Sequence, residues 1–316
     1  MATRVPPASR DQPLVTVLLA TYNGARWLDE QLDSVLGQRG VQVRIVALDD
    51  ESTDGTRDLL LGRAARDARL TVLPSQGPSG GSAPNFYRLI TTVANDVDGY
   101  LAFSDQDDVW REDKLARHVA LLEAGNHEGV SSSVLAFTPQ GRTTLIRKDF
   151  PQREFDYLTE SPGPGSTFVI TPRLARLVAA ELADPESPAR FAQFHDSLIY
   201  AVCRGRGWSW HIDGVPSLSY RQHDGNVMGS NVGAASALSR LKLIREHWHR
   251  NEAILHARVA TRLADGARMA ALEEMIRLFE SPRLGARFAL VSRATTMRRR
   301  PRDQWIIALL IATGVW

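Results

Sequence analysis

A chain of 316 residues that is 43% hydrophobic can build a full core, which excludes global disorder and allows one large α/β domain plus a smaller appendage. Its 38 basic and 36 acidic residues leave a formal charge of +2, a balance that argues against a dedicated nucleic-acid binder. One cysteine, Cys203, excludes an intramolecular disulfide and fits a reducing compartment.

Residues 1–12 are polar and proline-rich and lack an apolar h-region, so they read as a flexible N-terminus without a secretory signal. Leu14 to Ala20 is a continuous apolar run, the pattern of a strand buried on both faces. After the turn Thr21-Tyr22-Asn23-Gly24, Arg26 to Gln38 has helical apolar spacing. Val41 to Leu48 is a second strand, ending in Asp49-Asp50, and Thr56 to Ala65 a helix. Leu70 to Leu73 is a short strand. The Gly/Pro/Ser loop Gln76 to Pro84 then leads to a helix from about Asn85. Tyr100 to Ser104 is a strand running into Asp105-Gln106-Asp107-Asp108, and Lys114 to Glu123 is helical. Further on, Ser131 to Phe137 reads as one strand, Thr167 to Ile170 as an apolar run, Leu174 to Leu182 and Ser197 to Cys203 as helices, and Trp208 to Ile212 as a late strand. Ala235 to Phe279 is a long, mostly helical stretch. The Gly/Ser/Asn segment Gly229 to Gly233 sets a boundary near residue 234.

Strand–turn–helix repetition predicts a doubly wound α/β sheet, in which ligands bind beyond the carboxyl ends of the strands. The acidic clusters fall at those ends. Three carboxylates within the four residues Asp105 to Asp108 repel one another unless solvated or neutralised by a hard divalent cation, which prefers oxygen ligands. The same segment also reads as a solvated turn, with Asp108 placed to cap the next helix. An EF-hand does not fit, because the spaced ligands and closing Glu are missing. Asp49-Asp50-Glu51-Ser52-Thr53-Asp54-Gly55-Thr56 offers a carboxylate that can accept a base imide N–H. It also reads as ordinary turn chemistry, with Asp54 capping a helix. Asp196, in Phe194-His195-Asp196-Ser197, offers a carboxylate to an attacking hydroxyl or caps the run that follows. Tyr220-Arg221-Gln222-His223-Asp224-Gly225-Asn226 groups an Arg, a His and amides that suit a diphosphate and its metal, or forms a surface loop. His118 and His211 have no such context.

Together, Val15 to Asn23, the D-D-x-S-x-D-x-T segment from Asp49 and Ser104-Asp105-Gln106-Asp107-Asp108 resemble the family 2 (GT-A fold) glycosyltransferases, in order and in spacing. The resemblance covers about residues 13 to 226. Within the family, S-D-Q-D-D-x-W and Y-R-Q-H-x-x-N look most like the rhamnosyltransferase-type branch. It implies a GT-A doubly wound mixed sheet over 13–234 with a helical C-terminal extension over 235–316. It implies that Thr21, Tyr22, Asn23 and Gln106 line the nucleotide-sugar pocket, that Asp50, with Asp49 beside it, binds the base, and that Asp105 lies near the ribose. Asp107 and His223 would hold Mn²⁺ or Mg²⁺, Arg221 would contact phosphate, and Asp196 would be the general base of an inverting transfer. Gly80-Gly81-Ser82 would bring backbone amides toward a phosphate, and Pro164 to Thr167 would floor the sugar site.

The implied partners are a nucleotide-diphospho-sugar donor, with dTDP-L-rhamnose favoured, and a glycan or lipid-linked acceptor. The implied role is in cell-surface polysaccharide synthesis. Nothing resembles the Q-x-x-R-W motif of processive synthases, which points to single-sugar transfer. The first turn lacks G-x-G-x-x-G, which argues against a Rossmann dehydrogenase. A non-catalytic nucleotide-sugar or carbohydrate-binding protein on the same fold is the rival reading. No window reaches the roughly 18 apolar residues of a membrane span. The basic run Arg298-Arg299-Arg300 and the apolar Trp305 to Trp316 suggest a last helix packed on the domain or peripheral contact at the inner face of the cell membrane.

Overall fold

The apolar runs at the head of the chain become the centre of a sheet covered on both faces. The computed structural model describes residues 12–223 and 248–316. Its first half alternates β1 (Leu14–Thr21), α1 (Ala25–Leu36), β2 (Gln42–Asp49), α2 (Thr56–Ala64), β3 (Leu70–Val72), α3 (Ser82–Val93) and β4 (Tyr100–Ser104). Then follow β5 (Val109–Trp110), α4 (Lys114–Gly125), β6 (Gly129–Ser132), β7 (Val134–Phe137) and β8 (Thr143–Ile146). The chain continues through β9 (Val169–Ile170), α5 (Pro172–Ala183), α6 (His195–Gly205), β10 (Trp210–Asp213) and β11 (Leu218–Arg221). Beyond residue 247 lie α7 (Trp248–Leu263), α8 (Gly266–Glu280), α9 (Leu284–Ser292), α10 (Ala294–Met297) and α11 (Pro301–Thr313).

Among the described residues the strands form two sheets. The larger has the order β10-β6-β9-β4-β1-β2-β3, and the smaller β5-β11-β7-β8. β4, β1 and β2 are parallel neighbours, with Thr21 opposite Asp49 and Leu19 opposite Ser104, so three strand ends open on one edge. β9 runs antiparallel to β4 and β6, which makes the sheet mixed. Successive side chains point to opposite faces. Leu18 therefore joins one core with Leu48, Phe86 and Phe103, while Val17 and Leu19 join the other with Leu28, Leu32 and Ile45.

The structure corrects several boundaries. Ser131 to Phe137 is not one strand: it breaks at Ser133 into β6 and β7, which lie in different sheets. The break is possible because the buried serines there find polar partners. Ser132 Oγ meets Ser217 Oγ at 2.7 Å, and the Ser133 amide donates to the Asp213 carbonyl at 2.9 Å. Asp108 does not cap a helix. The short strand β5 intervenes, and α4 begins at Lys114 with Asp113 at the cap position. The helix expected from about Asn85 starts at Ser82. The long helical stretch, where described, is two helices separated at Ala264-Asp265, with Gly266 in the left-handed region at φ +47°. The boundary near residue 234 lies outside the described residues.

The C-terminal helices share the core of the sheet. Ala253, Ala257 and Ala260 of α7 are fully buried, as are Leu272, Ile307 and Ile311 farther on. Gly205 at the end of α6 lies so close to α7 that a Cβ there would come 2.7 Å from the Ala260 Cα. A buried charge cluster fastens the same region. Asp156, fully buried, accepts from Tyr200 Oη at 3.1 Å and pairs with Arg204 and Arg299 at 3.3 Å each. Removing one member of such a group strands the others without compensation. Asp156→Ala is expected to cost about 3–5 kcal/mol in urea unfolding with an unchanged m value, whereas a loss below about 1 kcal/mol would show that the cluster is solvent-screened.

Candidate active site

The site begins where β1, β2 and β4 end. Thr21 and Asp49, opposite each other in register, turn their side chains together: Thr21 Oγ1 donates to Asp49 Oδ1 at 2.8 Å. Asp49 also accepts from the Ser52 amide at 3.0 Å and from Ser52 Oγ at 2.6 Å. Both residues are 2% exposed, so each side chain is spent on the other and on the turn, not presented to a ligand. Asn23 completes this frame. Its amide donates to Ser52 Oγ, and its Oδ1 accepts from the Thr53 amide, both at 2.8 Å. Asn23 and Glu51 hold positive φ angles of 49° and 61°, which the hydrogen-bonded turn sustains.

Asp54 is not the cap of α2, which falls at Gly55, but its carboxylate serves the first residues of two helices. It accepts from the Thr56 amide at 3.1 Å and from the Ala25 amide at 3.0 Å. Burial opposes its ionisation, but the hydrogen bonds from Thr56 and Ala25 hold its carboxyl below the usual range. Asp50 is 8% exposed and binds the Gly/Pro/Ser loop, accepting from the Ser79 amide at 2.5 Å and from Ser79 Oγ at 2.8 Å. That loop, with Gly80 and Gly81, is thereby drawn over the end of β2.

Gln106 clamps the first turn. Its Oε1 accepts from the Tyr22 amide at 2.7 Å, and its Nε2 donates to the Tyr22 carbonyl at 2.8 Å. The Tyr22 ring itself is 58% exposed. Gly24 makes the clamp possible, since a Cβ there would lie 2.2 Å from Gln106 Oε1.

Asp107 and His223 come together, His223 Nε2 lying 2.7 Å from Asp107 Oδ2. The imidazole is fixed by stacking on Trp27, with ring centroids 4.1 Å apart and an interplanar angle of 19°. Arg221, on β11, binds the same loop from its backbone side. Its Nε donates to the Asp107 carbonyl at 2.8 Å, its amide to Asp108 Oδ1 at 3.2 Å, and its Nη2 pairs with Glu30 at 2.6 Å.

Sequence reasoning missed Lys114. Its side chain is fully buried, lies 2.9 Å from the Trp110 ring centroid, and donates through Nζ to the Ser166 carbonyl. Burial pushes its pKa well below the lysine range, opposed by the charges of Asp108 and Asp105. Those carboxyls are themselves raised. Asp105 is pushed well up by burial, then by Asp107, Asp108 and Asp196, and Asp108 is pushed up to about 7 by burial and by Asp107. A signal was present in the sequence: Lys114 shares the helical phase of Leu115, His118, Val119 and Leu122, all buried.

Asp196 lies in the first turn of α6 and is not its cap, which falls at Phe194. Burial raises its pKa, countered by hydrogen bonds from Ser197 and Ser161, and it keeps part of its surface open. His195 beside it is 8% exposed, packs on Phe86 at 4.0 Å between centroids, and is held neutral by burial at a pKa of about 3. Its Nε2 has no partner and faces Gly165, where a Cβ would come within 2.1 Å. The Pro164 to Thr167 segment is therefore wedged between His195 and Lys114. His118 is a buried core residue.

A family model described as glycosyl transferase family 2 matches residues 16–176. A dTDP-rhamnosyl transferase, RfbG of Shigella flexneri, is 37% identical over 248 residues, covering 78% of this chain and 85% of that protein. The chain belongs to glycosyl transferase family 2. A putative teichuronic acid biosynthesis glycosyltransferase, TuaG of Bacillus subtilis, is 29% identical over 150 residues, covering 48% of this chain and 55% of that one. Among solved structures, S. aureus TarS 1-349 in complex with UDP-GlcNAc covers 95% of this chain and 82% of its own length at a TM-score of 0.58 and 18% identity. The mannosyltransferase PcManGT of Pyrobaculum calidifontis, in complex with GDP-Man and Mn²⁺, covers 96% of this chain and 81% of its own at a TM-score of 0.51 and 18% identity. The fold is thus the GT-A type expected from the sequence.

The Gln106 clamp generates a prediction. Gly24→Ala and Gln106→Ala should each lower sugar transfer about tenfold with little change in Tm, and the double variant should be no worse than either alone. Independent, multiplying losses in that cycle would mean that Gly24 does not serve the clamp.

Proposed function

We propose that this chain is a metal-dependent, inverting glycosyltransferase that moves L-rhamnose from dTDP-L-rhamnose to a hydroxyl of a glycan or lipid-linked acceptor in cell-surface polysaccharide synthesis. The observation that carries the reading is the 2.7 Å contact of Asp107 with His223, which joins two motifs 116 positions apart at the open edge of the sheet. Similarity to a dTDP-rhamnosyl transferase over most of the chain supports the donor. The UDP-GlcNAc and the GDP-Man and Mn²⁺ complexes of structural neighbours support a nucleotide-diphosphate sugar and a divalent cation as ligand classes.

The donor atoms fit such a cation. A carboxylate oxygen of Asp107 and an imidazole nitrogen of His223 suit Mn²⁺ or Mg²⁺. Among the described residues no group of three His, Cys, Asp or Glu converges, so diphosphate oxygens and water would complete the shell. When bound, the metal neutralises charge on the departing nucleoside diphosphate. Asp105 and Asp108 crowd the same strand end, where burial and their mutual repulsion oppose ionisation, and a bound cation would favour their charged forms.

The remaining roles fall to this chain's own groups. Tyr22 offers an exposed ring to the nucleotide, and the family motifs assign Asp50 to the base and Asp105 to the ribose. Thr21, Asn23, Asp49 and Gln106 act by holding the backbone of that pocket in place. Arg221 supports the Asp107 loop and is the residue assigned to contact phosphate. Asp196 takes the proton of the acceptor hydroxyl as its oxygen attacks the anomeric carbon. The bond to the nucleotide then breaks on the opposite face, and configuration inverts with no covalent intermediate.

The test is transfer and donor binding with dTDP-rhamnose and Mn²⁺. Asp196→Asn is expected to lower kcat by about 10²–10⁴ while donor binding survives. Asp107→Ala is expected to abolish the Mn²⁺-dependent thermal shift given by the donor. Near-normal turnover in the first variant, or an unchanged shift in the second, would remove the corresponding role. The pH profile follows from the sign of the Asp196 shift. Its carboxyl is raised, so the ionised base is lost as pH falls through a value above the ordinary Asp figure of about 3.9. The acid limb of kcat should therefore lie above that figure, and the Asp196→Asn residual rate should lack it.

A further inference from the structure

Two helices at the end of the chain are unusually apolar on the outside. α9 and α11 pack against each other. α9 leaves Leu284 and Phe288 exposed at 67% and 74%, and α11 leaves Trp305 and Leu309 exposed at 79% and 65%. The spacing of four within each pair puts its members one turn apart on one face of the helix. The other side of α11 is already used, because Ile307 and Ile311 are buried in the core. These exposed side chains are therefore surplus to folding.

The segment that carries them is strongly basic, although Glu274 of the neighbouring α8 pairs with its Arg293. Residues 281–316 hold seven arginines, no lysine and one acidic side chain, Asp303. Arg283, Arg300 and Arg302 stand exposed beside the apolar residues, and Asp303 is already paired with Arg302 at 2.9 Å. Exposed tryptophan, phenylalanine and leucine among arginines suit the boundary of an anionic bilayer, where rings and alkyl groups enter the interface and guanidinium groups meet phosphate. A second copy of the chain suits this face poorly, since pairing would bring two arginine-rich surfaces together. Among the described residues no helix is long and apolar enough to cross a membrane.

We propose that α9 and α11 form a docking face for an anionic membrane surface. The proposal goes beyond the transfer reaction and does not depend on it, because docking requires neither donor nor metal. The 316-residue chain is incubated with sedimenting vesicles of phosphatidylcholine, alone or rich in phosphatidylglycerol, without nucleotide. Binding to the anionic vesicles should exceed binding to the neutral ones at least about tenfold and should weaken in high salt. The variant carrying Phe288→Ser, Trp305→Ser and Leu309→Ser should keep its circular dichroism and Tm but lose about tenfold or more of that binding. Failure of the wild type to bind, equal binding to both vesicles, or unchanged binding of the variant would overturn the proposal. So would a wild-type dimer in solution that the variant dissolves, since the face would then belong to a second copy. Loss of sugar transfer in a chain that still binds vesicles would count against the reaction and leave the docking face standing.

Discussion

Three carboxylates at the end of β4 repel one another, and much of the surrounding structure is arranged to contain that repulsion. Lys114 lies fully buried beneath them, where burial pushes its pKa well down and Asp108 and Asp105 only partly oppose that shift. Arg221 reaches the same loop from the second sheet, binding the Asp107 carbonyl and, through its amide, an Asp108 oxygen. The short pairing of β5 with β11 holds these two segments in register, with Trp110 opposite Leu218. Even so, Asp108 remains raised to about 7 and keeps one buried oxygen without a partner. An acidic strand end that its own neighbours satisfy only in part suits the divalent cation proposed above, which would offset both the carboxylates and a diphosphate.

The acidic residues of the site fall into two physical classes. Asp49 and Asp54 are saturated by neutral donors from turns and helix termini, so their charge is consumed in fixing backbone. Asp107 and Asp196 keep an oxygen open to the cleft or to a titratable partner. In the sequence the two classes look alike, because a turn carboxylate that caps a helix and one that binds a ligand occupy the same kind of position.

That ambiguity marks how far the sequence could be read. The parallel strands were legible because Leu14 to Ala20 and Val41 to Leu48 are long apolar runs with no alternative solvent-exposed register. The meeting of Asp107 and His223 was legible only through the spacing of family motifs, since no local rule links residues 116 positions apart in the chain. Three features were not read. The break at Ser133 depends on serine partners contributed by Asp213 and Ser217. The Gln106 clamp depends on the missing Cβ of Gly24. Lys114 was read as a helix start, because a buried lysine is improbable until the carboxylates above it are placed.

The C-terminal helices change how the acceptor side of the site should be understood. α6 carries Asp196 at its first turn and ends at Gly205, whose missing side chain lets α7 approach the backbone closely. Tyr200 in the middle of α6 bonds to Asp156, which is also held by Arg299 just ahead of α11. Interiors packed this densely transmit displacement instead of absorbing it. The position of Asp196 is therefore set by α7 and by the buried Asp156 cluster, whose Arg299 lies just ahead of the helix that exposes Trp305. With Asp196 as the proposed base and α9 and α11 as the proposed docking face, the buried charge that joins α6 to the segment ahead of α11 would fix the orientation of the acceptor side relative to that surface. An acceptor anchored in the surface would then reach the base along one defined approach.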